Sequence, residues 1–170
     1  VSLPNGVPYQ GSKLTEAQVR GLTLEDELAA PAAARRNAGA LLRHHLERGV
    51  VRLGPLEAGP DGPIPWSVLS ELPLPDTLAV MLAIYEATDP ERDLQVTCQR
   101  CGHRFTRTLE EIRASAPPPE QARVKVARVQ LRQGVEVDGQ RHREVEIGWL
   151  RIVDLVETEQ DRRVQANPAM

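Results

Sequence analysis

The sequence predicts an α+β fold in which two similar β-hairpin-plus-helix units bracket a helical insert bearing a C-x-x-C-G turn. Three observations lead there. Both ends carry short runs of alternating apolar residues, broken by turn residues and followed by a helix start. Between them, apolar residues recur at helical spacing. The ends also align on each other without a gap. The expected segments are 1–30 for the first unit, 31–116 for the insert, 117–123 for a Pro-rich linker and 124–170 for the second unit.

In VSLPNGVPYQGSKLTEAQVRGL, the PNG and QGS punctuation and the apolar Leu14, Val19 and Leu22 predict a hairpin or a few short strands. Thr23 is an N-cap and Asp26 its capping-box partner, with Leu24 and Leu28 on one helical face. Pro31 interrupts that helix but suits the first turn of another, which continues through Leu41, Leu42, His45 and Leu46 to a C-cap at Gly49. VVRLGPLEAGPDGPIPW reads as a short strand and an exposed Pro/Gly loop. LPDTLAVMLAIYEATD follows, with Asp76 as N-cap and apolar residues on nearly every side from Leu78 to Tyr85, which predicts a central buried helix.

Strands at Leu94 to Val96 and Arg104 to Thr106 flank the cysteine turn, and LEEIRAS makes a short helix. From Val124 strands return: a DG turn at Asp138 and Gly139 and the alternation of Val145, Ile147 and Trp149 predict a hairpin with one buried face. IVDLVETEQDRR closes as an amphipathic helix and VQANPAM as a frayed tail.

Shifting the first unit by 128 positions lays LPNGVPYQGSKLTEAQVRGLTLEDEL on LRQGVEVDGQRHREVEIGWLRIVDLV. Identities fall at Leu3/Leu131, Gly6/Gly134, Val7/Val135, Gly11/Gly139, Glu16/Glu144, Leu22/Leu150 and Asp26/Asp154. Turn glycines, an inward strand face and a helix start are the positions where backbone geometry is most demanding. One reading is that any hairpin followed by a helix shares such features; the other is a true repeat, and a chain so organised suits an adaptor with two similar contact faces.

Composition narrows function further. Phe105, Trp66, Trp149, Tyr9 and Tyr85 are the only aromatic residues, and the formal charge is -3. Few rings to stack on bases and no general attraction to phosphate argue against nucleic acid as a partner. No apolar run approaches membrane-spanning length and no leader pattern opens the sequence, so the expectation is a soluble protein made in a cytoplasm, without a membrane partner. No Ser/His/Asp order, Gly-rich phosphate loop or H-E-x-x-H motif points to an active site, and no catalytic residue is expected.

Cys98 and Cys101 are the only cysteines. A tight C-x-x-C-G turn lets two thiolates reach one zinc ion, but a structural site needs four donors. His103 follows the turn and should point along the next strand, so His44, His45 or His142 would serve better if the fold brings them near. Alternatively, two copies of the chain each give Cys98 and Cys101 to a shared four-thiolate site, making the metal a staple for a homo-oligomer. A metal-free turn with half-buried thiols is the third reading. Thioredoxin-like chemistry would need a helix N-terminus at Cys98, which the polar strand-like flanks do not offer. Trp66 and Trp149 are core plugs or anchors for a partner protein.

The run LRQGVEVDGQRHREVEIGWLRIVDLVETEQ resembles the small tail assembly proteins of tailed bacteriophages: an apolar strand, a V-x-V-x-G hairpin, a strand ending in an apolar or aromatic residue, then an Asp-led helix. The first half, LTLEDELAAPAAARRNAGALLRHHLERGVVRLG followed by a buried helix and TCQRCGHRF, is similar to baseplate hub and assembly proteins of contractile tails, which often carry a zinc-ribbon-like C-x-x-C-G after a helix. The resemblance implies a non-enzymatic structural or assembly protein of a contractile phage tail or related injection particle, with zinc as the candidate cofactor. Hub, spike or tube proteins would be its partners, reached by strand addition and burial of aliphatic patches. It would be found in the host cytoplasm during assembly and in the tail or baseplate of the virion. The chain departs from the zinc-ribbon pattern by lacking a second cysteine pair. The alternative is a zinc-binding module contacting nucleic acid or a regulatory partner.

Overall fold

β1 (Ser2–Tyr9) and β2 (Ser12–Val19) form an antiparallel hairpin in the computed structural model, which describes residues 1–34, 38–60, 62–98, 100–115, 127–148 and 150–160. Its two-residue turn has positive φ at both Gln10 (46°) and Gly11 (77°), the backbone twist that matches a hairpin's own. PNG is not a turn. The pairing shifts between Ser2 and Val7, so this segment is a bulge inside β1, with Gly6 at a φ of 63°. A Cβ on Gly6 would lie 2.7 Å from the carbonyl oxygen of Leu14, so only glycine fits.

β2 continues into β3 (Val50–Leu53) and β4 (Leu56–Glu57), giving an antiparallel sheet of order β1-β2-β3-β4. The first unit is therefore not separate from the insert: the core joins Leu3, Val7 and Leu14 to Leu46, Val50, Leu53, Val80 and Ile84, and also to Ile152 from the far end. α1 (Leu24–Ala34) starts as expected, with the Asp26 carboxylate accepting from the Thr23 amide and hydroxyl, both at 2.9 Å. Pro31 lies inside α1 instead of opening the next helix, and α2 is Ala38–Gly49. Leu24 and Leu28 do share a face, but it is exposed. Gly49 is required for a reason other than capping, since a Cβ there would meet Ile84 Cδ1 at 2.4 Å where α2 crosses the next long helix.

α3 (Trp66–Leu69) leads into α4 (Leu74–Thr88), with Val80, Met81 and Ile84 buried and Leu78 exposed. Pro73 takes the N-cap position and Pro75 the start of the first turn, where a missing N–H costs nothing. Asp76 is thus displaced from the expected cap. Its carboxylate is 1% exposed and leaves its own helix to receive β1: the Gly6 amide donates at 2.7 Å, the Asn5 amide at 3.1 Å and the Asn5 side-chain Nδ2 at 2.9 Å. Successive backbone N–H groups at an αL glycine make a small anion-binding concavity, and the first turn of a helix favours the same charge. One carboxylate satisfies both.

The cysteine-bearing hairpin, β5 (Asp93–Thr97) and β6 (Arg104–Thr108), forms its own two-stranded sheet. α5 (Leu109–Ser115) follows, opened by a Thr108/Glu111 capping box and tied to α4 by Arg113 and Glu86. β7 (Ala127–Val137), β8 (Gln140–Ile147) and α6 (Ile152–Gln160) form the second unit. Among the described residues, three backbone bonds attach it, from Leu74 N–H to the Leu150 carbonyl (2.9 Å), from Ile152 N–H to Leu72 (3.2 Å) and from Val153 N–H to Ser70 (3.0 Å). Of the face predicted to be buried, Val145 is half-buried and Ile147 exposed, and Val135 and Val137 on the other strand are exposed too, because attachment comes through the chain around α6. The expected linker at 117–123 lies outside the described residues, as do Trp149 and the chain beyond 160.

Asp76→Ala leaves the Asn5 and Gly6 amides buried without an acceptor and should destabilise the fold by about 3 kcal/mol, read as a lower urea midpoint at unchanged slope. Asp76→Asn, which keeps one acceptor oxygen, should lose less. His45 is buried, with Nδ1 3.2 Å from the Tyr85 hydroxyl. Burial first, then the His44 and Arg92 charges, depress its pKa below 6.5, with Glu27 acting the other way. A lowered folded pKa means that this contribution to stability is complete above pH 6.5 and is lost as pH falls from there through the folded value. Urea midpoints at pH 7.5 and 5.5 should therefore differ more in the native chain than in a His45→Gln variant.

Candidate functional site

Two surfaces carry chemistry: the cysteine turn and the second hairpin. At the turn, the Cys98 amide donates to the His103 carbonyl and the Gly102 amide to the Cys98 carbonyl, both at 2.8 Å, with Gly102 at a φ of 70°. This knuckle places Cys98, half-buried, beside the exposed Cys101. The Cys101 amide, then the Arg100 amide and then the Cys101 thiol hold the Cys98 thiol below its ordinary pKa. The turn therefore eases loss of the Cys98 proton, and the thiolate is the form that metal binding and alkylation both require.

The histidines lie elsewhere. The His103 ring stacks on Phe105 with centroids 6.2 Å apart, as a side chain on the following strand would. His44 Nε2 is 2.9 Å from the Asp26 carbonyl oxygen, His45 meets Tyr85, and His142 is exposed on β8. Among the described residues, no three His, Cys, Asp or Glu side chains are grouped to hold a metal ion. Among the described residues, the candidate donors that lie together at the turn are the two thiols. Trp66 packs half-buried against the core, with the Arg43 guanidinium 5.0 Å above its ring.

The second hairpin reproduces the first in detail. Val7↔Leu14, Pro8↔Lys13 and Tyr9↔Ser12 correspond to Val135↔His142, Glu136↔Arg141 and Val137↔Gln140, and Ser2↔Glu16 to Gln130↔Glu144, all at the same offset. Both pairings shift at the same place. Gly134 has a φ of 74° and its Cβ would lie 2.8 Å from the His142 carbonyl oxygen, as at Gly6; Asp138 (51°) and Gly139 (75°) repeat the Gln10–Gly11 turn. The helix start repeats too. Asp154 accepts from the Arg151 amide at 2.8 Å as Asp26 does from Thr23.

What differs is the environment. Val7 is 0% exposed and Val135 48%, whereas Leu24 on the first helix is 76% exposed and its counterpart Ile152 0%. The core uses the hairpin of one unit and the helix of the other. Val135, Val137 and Ile147 are therefore left exposed, on a hairpin whose bulge has Gln133 and Gly134 where Asn5 and Gly6 hold Asp76. The alignment of Gly6 on Gly134 marks this position, but nothing in it says which of the two bulges would be covered.

If the turn amides stabilise the thiolate, the rate of Cys98 alkylation by iodoacetamide should reach half-maximum at lower pH in the folded protein than in urea. Superimposable profiles would contradict this.

Among the described residues no helix is long and apolar enough to cross a membrane. No known protein family, curated protein or solved structure matches this chain.

Proposed function

We propose that this chain is a non-enzymatic structural or assembly protein of a contractile phage tail or phage-tail-like particle, working in the baseplate hub region through protein–protein contacts. The observation that carries the reading is the duplicated hairpin, one copy seated in the core and the other leaving Val135, Val137 and Ile147 exposed. Large apolar residues exposed together mark interaction surfaces. Among the described residues no further strand pairs with either edge of the β7–β8 sheet, which suits strand addition by a neighbour. Hub, spike or tube proteins are the partners that the sequence resemblance supplies.

A second reading attaches to the cysteine hairpin. Arg100, Arg104 and Arg107 are exposed around the turn, with the Arg107 guanidinium 5.7 Å from the Phe105 ring and 3.8 Å from the Glu111 carboxylate, so Arg100 and Arg104 give a small cationic patch beside two thiols. A zinc-binding module contacting nucleic acid would use it. Such binding would weaken steeply with salt.

Deletion of the gene in a strain that makes the particles, with a tagged copy restored, tests the leading reading. Particle assembly should stop before the sheath is built, and the tagged protein should sediment with tail intermediates. Normal particle yield, with the tagged protein sedimenting alone, would contradict it.

A further inference from the structure

We infer that the exposed face of the β7–β8 hairpin is a socket for an α-helix of a partner protein whose first turn carries an aspartate or glutamate, seated on the Gln133–Gly134 bulge. The first hairpin identifies the occupant. Against its inner face lies α4, which enters with Asp76 on the Asn5 and Gly6 amides and then sets Val80, Met81 and Ile84 into the core beside Leu3, Val7 and Leu14. These are positions four, five and eight after the carboxylate.

Most of that seat recurs in the second hairpin, the exception being Leu14, whose place is taken by the exposed His142. The bulge has the same register and the same αL glycine, so its two amides are presented in the same way. Gln133 replaces Asn5, which keeps a side-chain amide donor beside them. Leu131, Val135 and Val145 take the places of Leu3, Val7 and Ala17. The stem of Lys13 lies beside Gly6 and that of its counterpart Arg141 beside Gly134, where the stem of Arg143 joins it, so two basic side chains flank the second bulge and one the first. A carboxylate is the ligand these groups fit. Without an occupant, Val135, Val137 and Ile147 remain about half exposed.

A second copy of this chain is a poor occupant, because its α4 is already held by its own first hairpin. The partner is instead a different protein with an accessible amphipathic helix: an acidic residue in the first turn, then aliphatic residues four, five and eight positions later. This deepens the assembly reading by naming the chemistry of the contact.

The probe is a synthetic peptide covering residues 72–89 of this chain, made soluble with terminal lysines and titrated into the full-length, amide-labelled protein. The Gln133 and Gly134 amide signals should shift saturably while those of Asn5 and Gly6 stay in place. A peptide with Asp76→Asn should bind about tenfold more weakly, the loss expected for a charge-assisted bond. Val135→Glu in the protein, at an exposed position that the fold tolerates, should abolish the shifts and leave Asn5 and Gly6 unchanged. Movement of Asn5 and Gly6 alone, equal binding of the two peptides, peptide-induced dimerisation of the protein, or no shift at all would overturn the socket. Sedimentation with tail intermediates is read separately. A socket that fails in a protein that still joins tails removes this inference only, while a working socket in a protein that never joins them removes the tail assignment.

Discussion

A single buried carboxylate organises this structure. Asp76 begins the long central helix, and the donors around it come from a strand bulge some seventy residues earlier in the chain. A buried charge is tolerable only when its oxygens are satisfied, and here two backbone amides and one side-chain amide do so. The amides gain as well, since a bulge withdraws them from the strand ladder and leaves them in need of an acceptor. Helix and hairpin are thereby fixed in both position and register, with Leu3, Val7, Val80 and Ile84 closing over the contact.

The second unit shows what the hairpin is without that carboxylate. Its bulge, turn and helix cap are built as in the first, so these features belong to the local sequence and not to the core that covers one of them. Burial is shared out in a complementary way. The first unit contributes its hairpin and exposes Leu24 and Leu28, and the second contributes Ile152 and Val156 and exposes its hairpin. One core can cover only one face of each unit, and the faces left over are where a partner gains most by binding.

Much of this was legible in the sequence because it is local. The Thr23/Asp26 box, the strands around Cys98 and Cys101, the DG turn, and the repeat with its paired glycines all follow from short-range backbone chemistry. What sequence alone misassigned was long-range. PNG has turn composition, and only the pairing with β2 shows it to be a bulge. Asp76 in a helix's first turn looks like a cap until Pro73 takes that place and β1 supplies the donors. The alternation of Val145 and Ile147 correctly announces an apolar face but cannot say whether this chain covers it. Likewise, spacing brought Cys98 and Cys101 together, while the distance from them to His44 and His45 depended on a fold in which those rings face Asp26 and Tyr85.

The most direct test of this account is residue-resolved amide hydrogen exchange on the isolated protein, because it reads the two bulges side by side. Hairpins of the same backbone build that are covered differently predict strong protection at Asn5 and Gly6, with rapid exchange at Gln133 and Gly134. Rapid exchange at all four would deny the Asp76 contact, and equal protection at all four would mean that the second socket is already filled.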